Sequence, residues 1–131
     1  MDNTTTRQNN RKEIWKDVPE FEGYYQVSNK GNIRSLNYKN CKGYIKNLTP
    51  GLNKTTGYMA ISLRKKDENG NTVVRQTTVH RIVAEAFIPN PRGLEQVDHI
   101  DGVRTRNCVS NLRWVSRKFN NSRKQAKIRK S

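Results

Sequence analysis

Acidic residues are scarce. Only 11 Asp and Glu stand against 26 Lys and Arg in 131 residues, leaving a formal net charge of +15. So small a body repels itself unless an anion neutralises it. Phosphate-rich nucleic acid is the leading counterpart, because each Lys or Arg set on a phosphate releases condensed counterions; an anionic membrane surface is the rival. Apolar residues are few as well, at 32%, which leaves a thin core and a large share of surface, loop and tail. No apolar run approaches the roughly 20 residues that a spanning helix needs. The most apolar stretch, Ile82 to Ile88, is broken by Glu85. Cysteine is limited to Cys41 and Cys108, far apart and with no CxxC pair. That excludes a four-cysteine zinc site within the chain and argues against a disulfide framework. The N-terminus, MDNTTTRQNN, has no apolar h-region, so a reduced, cytoplasmic protein is expected.

What remains is organised along the chain. Residues 1–12 read as a disordered tail of Asn, Thr, Gln and Arg. From Glu13 the apolar weight rises. Tyr25 and Val27, then Ile33, predict short strands on either side of a turn at Asn29-Lys30-Gly31-Asn32. Trp15 and Trp114 are expected to anchor small cores, and Tyr24 and Tyr25 to fall on opposite faces of a strand. Residues 37–56, rich in Asn, Lys, Thr and Gly, predict a basic linker or adaptable loop with one short strand near Tyr44, Ile45 and Leu48. Next comes a hairpin. Tyr58 to Leu63 and Val73 to Val79 flank the turn cluster Asp67-Glu68-Asn69-Gly70-Asn71. A short helix over about 80–87 presents Ile82, Val83, Ala86 and Phe87 on one face and ends before Pro89 and Pro91. VDHID predicts a strand, DGVRTRN a loop, and Arg113 to Ser116 a second strand, with Ser116 capping a last helix to about Lys127.

The segment Val97 to Lys124 carries the chemistry. It sets a carboxylate beside an imidazole, Asp98-His99, on a strand. Asn111 lies in the following loop and Asn120 one turn into the last helix. Because strand, loop, strand and helix fold back on themselves, Asp98 and Asn120 can meet at one point. Two oxygen donors with open positions suit a hard divalent ion such as Mg²⁺. His99, with an ordinary pKa of about 6.5, is then a competent general base for water. A lone histidine in a strand is more often structural, and His80 is read that way, packing against this segment.

VDHIDG, SNLRWVS and FNN, in that order and spacing, resemble the HNH nuclease motif in the form found in phage- and intron-encoded homing endonucleases. IWKDVPEFEGYYQVSNKGNIRSL resembles the DNA-binding element that accompanies those nucleases, and VHRIVAEAFIPNP the segment leading into their catalytic finger. The resemblance spans about residues 13–123. It implies an α+β fold of small antiparallel hairpins with a C-terminal ββα-metal finger. The implied division is a tail over 1–12, a DNA-binding element and basic linker over 13–56, a nuclease domain over 57–127 and a basic tail over 128–131. The implied roles are Asp98 and Asn120 as metal ligands, His99 as general base and Asn111 as the residue that fixes the loop. Asn121 replaces Asn120 if the helix register is shifted by one. The implied cofactor is Mg²⁺, with Mn²⁺ or another divalent ion as alternatives, and no structural zinc. Two departures stand out. Val103 occupies a turn position where the family often has Asn, and the finger is followed by a basic tail where larger relatives continue into a helical DNA-reading module. Lower sequence specificity, or specificity supplied by a partner, is expected from the second.

The partner implied is double-stranded DNA, bound by a monomer, or by a dimer on the duplex. Arg34, Lys39, Lys42, Lys46 and Lys54 with Tyr38 and Tyr44 form a basic middle segment suited to tracking the backbone. Arg113 and Arg117 flank the finger. Asn120, Arg123, Lys124 and Lys127 share one helix face, a stripe that would set a phosphate against the metal. The alternatives are a non-catalytic DNA-binding protein that retains the finger, and an RNA-binding protein. A thin, cationic chain should gain stability from its ligands. Duplex DNA with Mg²⁺ is therefore expected to raise the melting temperature, and a melting temperature unmoved by both would contradict the charge reading.

Overall fold

The computed structural model describes residues 12–41 and 43–119. The expectations for the N-terminal tail up to residue 11, for Lys42, and for Asn120, Asn121, Arg123, Lys124, Lys127 and the C-terminal tail lie outside those residues. Three antiparallel sheets, one complete α-helix and two short 3₁₀ turns (Tyr38–Asn40 and Val109–Asn111) make up most of the described part. β1 (Trp15–Asp17), β2 (Tyr25–Ser28), β3 (Ile33–Ser35) and β4 (Lys46–Leu48) form the first sheet, in that order. β5 (Gly51–Leu52), β6 (Met59–Lys66) and β7 (Thr72–Thr78) form the second. The helix α1 (Val79–Phe87) follows, and β8 (Gln96–His99) pairs with β9 (Leu112–Val115) in the third. Residues 117–119 open the expected last helix, with Phe119 N donating to Ser116 Oγ at 3.1 Å. No helix among the described residues is long and apolar enough to cross a membrane.

Local chemistry explains the turns. Ser28 Oγ accepts the backbone N–H groups of Lys30 and Asn32, closing the β2–β3 hairpin. Asp67 Oδ1 accepts those of Asn69 and Asn71 and closes β6–β7. α1 begins as soon as β7 ends and stops at Ile88, whose N–H still bonds Ala84 O at 2.9 Å before Pro89 cuts the pattern. Glu85, the acid that interrupts the apolar run, points outward and pairs with Arg75 at 2.8 Å and Arg81 at 3.4 Å.

One core serves all three sheets. Val79, Ile82, Val83 and Ala84 of α1 pack with Val18, Phe21, Val27 and Ile33 from the first sheet region. Leu63 of β6, Val97 of β8 and Leu112 of β9 complete the cluster. Within the first sheet, Val27 pairs Ile33, and Ile33 pairs Leu48, so one row of side chains faces the helix. The opposite face carries Trp15, Asp17, Gln26 and Arg34. There Arg34 donates to Gln26 Oε1 and Gln26 to Asp17 Oδ1.

Three expectations are corrected. Residues 37–56 hold two short strands, not one, because β4 extends the first sheet while β5 opens the second. Trp15 anchors no core: its ring lies on the outer face under the Arg34 guanidinium, 4.0 Å away. Tyr24 and Tyr25 do not split across a strand. Tyr24 sits in the turn before β2, and both rings pack against the core. Trp114 does join it, with its indole N–H on Ile88 O at 2.9 Å.

A shared core makes unfolding one event. Trp15→Phe and Trp114→Phe variants, which report from the third sheet and from the first through the tryptophan each retains, are expected to give coincident urea midpoints. Ile82→Ala should destabilise by about 2–5 kcal/mol and shift both reporters equally; separate midpoints would show independent units.

Candidate active site

The candidate site is built at the end of β8. Its register with β9 sets Asp98 opposite Arg113 and His99 opposite Leu112. Both Asp98 and His99 are buried. Arg113 Nε holds Asp98 Oδ2 at 3.0 Å, so this arginine, expected on DNA, is engaged with the carboxylate. Its guanidinium also lies over the Phe119 ring.

His99 sits in a socket of three side chains. Its Nε2 lies 2.7 Å from Asn107 Oδ1. The His80 ring is 4.7 Å away between centroids, and Tyr58 stacks on His80 at 4.6 Å and lies 5.9 Å from His99. Arg104 lies over the Tyr58 ring at 5.1 Å and donates to Thr56 O. Burial lowers the His99 pKa, against the pull of the Asn107 hydrogen bond and of Asp98 and Asp101. His80 is pushed down to about 3 by burial, then by His99 and Arg81, and its Nδ1 has no hydrogen-bond partner. A neutral imidazole among apolar and aromatic groups is the result.

The loop between the strands is braced by Asn111. Its Oδ1 accepts Asp101 N at 3.1 Å, and its Nδ2 donates to Asp101 Oδ1 at 3.0 Å and to Arg106 O at 2.9 Å. Ile100 N donates to Asn111 O. Asp101 also accepts Val103 N at 2.8 Å and pairs with Arg106; the Val103 N–H foremost, then Asn111 and Arg106, keep its carboxyl below the usual range. Position 103 contributes its backbone N–H to this turn, which valine supplies.

Asp98, His99, Asn111 and Arg113 are thus brought together. The other expected cationic residues spread outward. Arg34 lies on the outer face of the first sheet and Lys46 on β4 beside the Tyr38 ring. Lys54 is exposed in the β5–β6 loop, and Arg117 opens the last helix, its N–H on Glu95 Oε1. Sequence reasoning missed Asn107, Tyr58, Arg104 and Arg106. An asparagine or arginine in a polar loop carries no periodic signal, and Tyr58 reads as an ordinary strand residue. Among the described residues no group of three or more His, Cys, Asp or Glu is placed to hold a metal. The hard oxygen donor at hand is Asp98, with one oxygen on Arg113. One or two protein oxygens with waters are what Mg²⁺ ordinarily takes, so the donor chemistry fits such an ion.

His80 has a consequence for stability. Its pKa falls on folding from 6.5 to about 3, so the unfolded chain binds the proton first as pH drops. The contribution is whole above pH 6.5 and is lost toward pH 3, at up to about 1.4 kcal/mol per pH unit. Thermal melts of His80→Phe across that range are expected to be flatter than wild type by close to one proton; an unchanged slope would refute the assignment.

Comparison with known proteins bears on this geometry. Residues 13–64 match the NUMOD4 motif, and residues 77–122 match the HNH endonuclease family. The DNA endonuclease I-HmuI of Bacillus phage SP01 is 40% identical over 106 residues, which cover 81% of this chain and 54% of the relative. A protein of Acanthamoeba polyphaga mimivirus, named uncharacterized HNH endonuclease L247, is 32% identical over 117 residues, 86% of this chain and 26% of its own. The solved structure of the HNH homing endonuclease I-HmuI, described for DNA binding and cleavage, superposes with a TM-score of 0.67 at 36% identity, covering 87% of this chain and 59% of that one. The chain therefore spans about half, or less, of the length of these relatives.

Proposed function

We propose that this chain is an endonuclease of the HNH type, which its match over residues 77–122 and its likeness to I-HmuI support, and that it hydrolyses a phosphodiester bond in double-stranded DNA with a divalent ion, nicking one strand per active site. The observation that carries this reading is the buried Asp98-His99 pair at the end of β8, with His99 Nε2 tied to Asn107. Residues 13–56 act as the DNA-binding element and residues 57–127 as the nuclease domain. The protein acts as a monomer in the cytoplasm of a phage-infected bacterium.

The division of labour follows from the side chains. The Asn107 oxygen accepts from Nε2–H, which leaves the Nδ1 lone pair of the neutral ring to take a proton from the attacking water. Depression of the His99 pKa by burial keeps the ring in that unprotonated form at neutral pH. Asp98 and Asn120 would hold Mg²⁺ or Mn²⁺, which when bound supplies charge stabilisation at the phosphate and its leaving oxygen. Arg113 fixes the rotamer of Asp98 through Oδ2. Asn111 keeps the loop closed beneath His99. Arg104 and Arg106, on the same loop, supply positive charge beside the base, and Arg34, Lys42, Lys46, Lys54, Arg117, Arg123, Lys124 and Lys127 neutralise phosphates along the duplex.

Relaxation of supercoiled plasmid tests the proposal. Wild-type protein with Mg²⁺ is expected to produce nicked circles, His99→Ala to lose at least about 100-fold in rate, and excess EDTA to abolish cutting. Equal rates for both proteins, or cutting in EDTA, would overturn the mechanism. Salt-sensitive DNA binding without nicking under any divalent ion would identify a non-catalytic binder.

A further inference from the structure

The β2–β3 turn of the first sheet is seated on the loop that holds the candidate base. Asn107 is buried, and its neighbour on the other side is Gly31. A Cβ at position 31 would lie 2.9 Å from Asn107 O and 3.0 Å from Asn107 Cβ, so only glycine permits this approach. Gly31 also has φ +88°, a conformation that L side chains rarely adopt. Two residues beyond Asn107, Val109 N donates to Asn29 O at 2.9 Å. Asn29 in turn binds the segment ahead of β1: Ile14 N donates to its Oδ1 at 2.8 Å, and its Nδ2 donates to Lys12 O at 2.9 Å. A continuous run of contacts thus leads from residues 12–14 through the Asn29–Gly31 turn and Asn107 to His99 Nε2.

We infer that Asn107 is a positioning residue that fixes the hydrogen of His99 on Nε2, and that the Gly31 turn of the N-terminal sheet holds Asn107 in the place where it can do so. The inference rests on the nuclease reading of His99. An amide oxygen only accepts, so a 2.7 Å contact requires hydrogen on Nε2 and puts the lone pair on Nδ1. His80 and Tyr58, stacked along one side, resist the ring flip that would exchange the two nitrogens. The first sheet is then part of the catalytic apparatus as well as a DNA-binding surface. Displacing its turn should disturb the base through Asn107, with no residue of the finger substituted.

The chain has two histidines, so imidazole ¹⁵N spectra can be assigned with His99→Ala. Wild-type His99 is expected as the Nε2–H tautomer. Asn107→Ala should convert this to a tautomer mixture and cut nicking by about 100-fold, the scale of a misplaced catalytic group, with DNA affinity within about twofold. Asn107→Asp, which keeps an acceptor, should retain the Nε2–H signal. Gly31→Ala should shift the His99 signals in the same sense as Asn107→Ala. A wild-type ring in the Nδ1–H form overturns the inference, as does an Asn107→Ala protein with unchanged ring signals and rate. Gly31→Ala with a wild-type spectrum overturns the link to the first sheet. If wild-type protein cuts no DNA under any metal, the nuclease reading fails instead, while the ring spectra still decide what Asn107 and Gly31 do to the tautomer.

Discussion

Val79, Ile82, Val83 and Ala84 are four small apolar side chains on one nine-residue helix, and three separate sheets close against them. Nothing else in the described chain could perform that service. The sheets are two to four strands each, too small to bury a face alone. With apolar residues at 32% of the chain, there is material for one core and not for three. The helix therefore fixes how the N-terminal sheet, the long hairpin and the finger stand relative to one another. It delivers His80 from its first turn to the flank of His99.

Scarcity of acid shapes the electrostatics in the same way. Of the carboxylates near the helix and finger, Glu85 goes to Arg75 and Arg81, Asp98 to Arg113 and Asp101 to Arg106. The more exposed of them, such as Asp101 with Arg106, contribute little to stability. Their value is geometric, since each fixes an orientation at or beside the site. The cations left over are what a polyanion meets. Because Asp98 is buried and already paired, the local field at the site is less negative than its sequence neighbours suggest, a setting in which a phosphate can approach.

Much of the fold was legible because its signals are local. The Asn29–Asn32 and Asp67–Asn71 turns, the apolar spacing of Ile82 and Val83 and the cap at Ser116 each follow from residues within a few positions. What escaped is long-range. Gly51–Leu52 becomes a strand because β6 offers it an edge, and Trp15 turns outward because Arg34 stands across the sheet to cover it. The site divides along the same line. Asp98, His99 and Asn111 occupy one short stretch with a recognisable pattern. Tyr58, His80 and Asn107 converge on the imidazole from 41, 19 and 8 positions away, and no periodicity marks them.

Contact between the Asn29–Gly31 turn and the Asn107–Val109 loop bears on how such proteins are assembled over time. Segments resembling the two halves of this chain are matched by separate family descriptions, as though they were cassettes to be shuffled. Here the junction is a backbone-to-backbone fit with no slack for a methyl group. Recombination that exchanged one half for a foreign counterpart would inherit a working chimera only if the incoming hairpin also brought a glycine at its apex. The seam between the halves constrains the sequence of both.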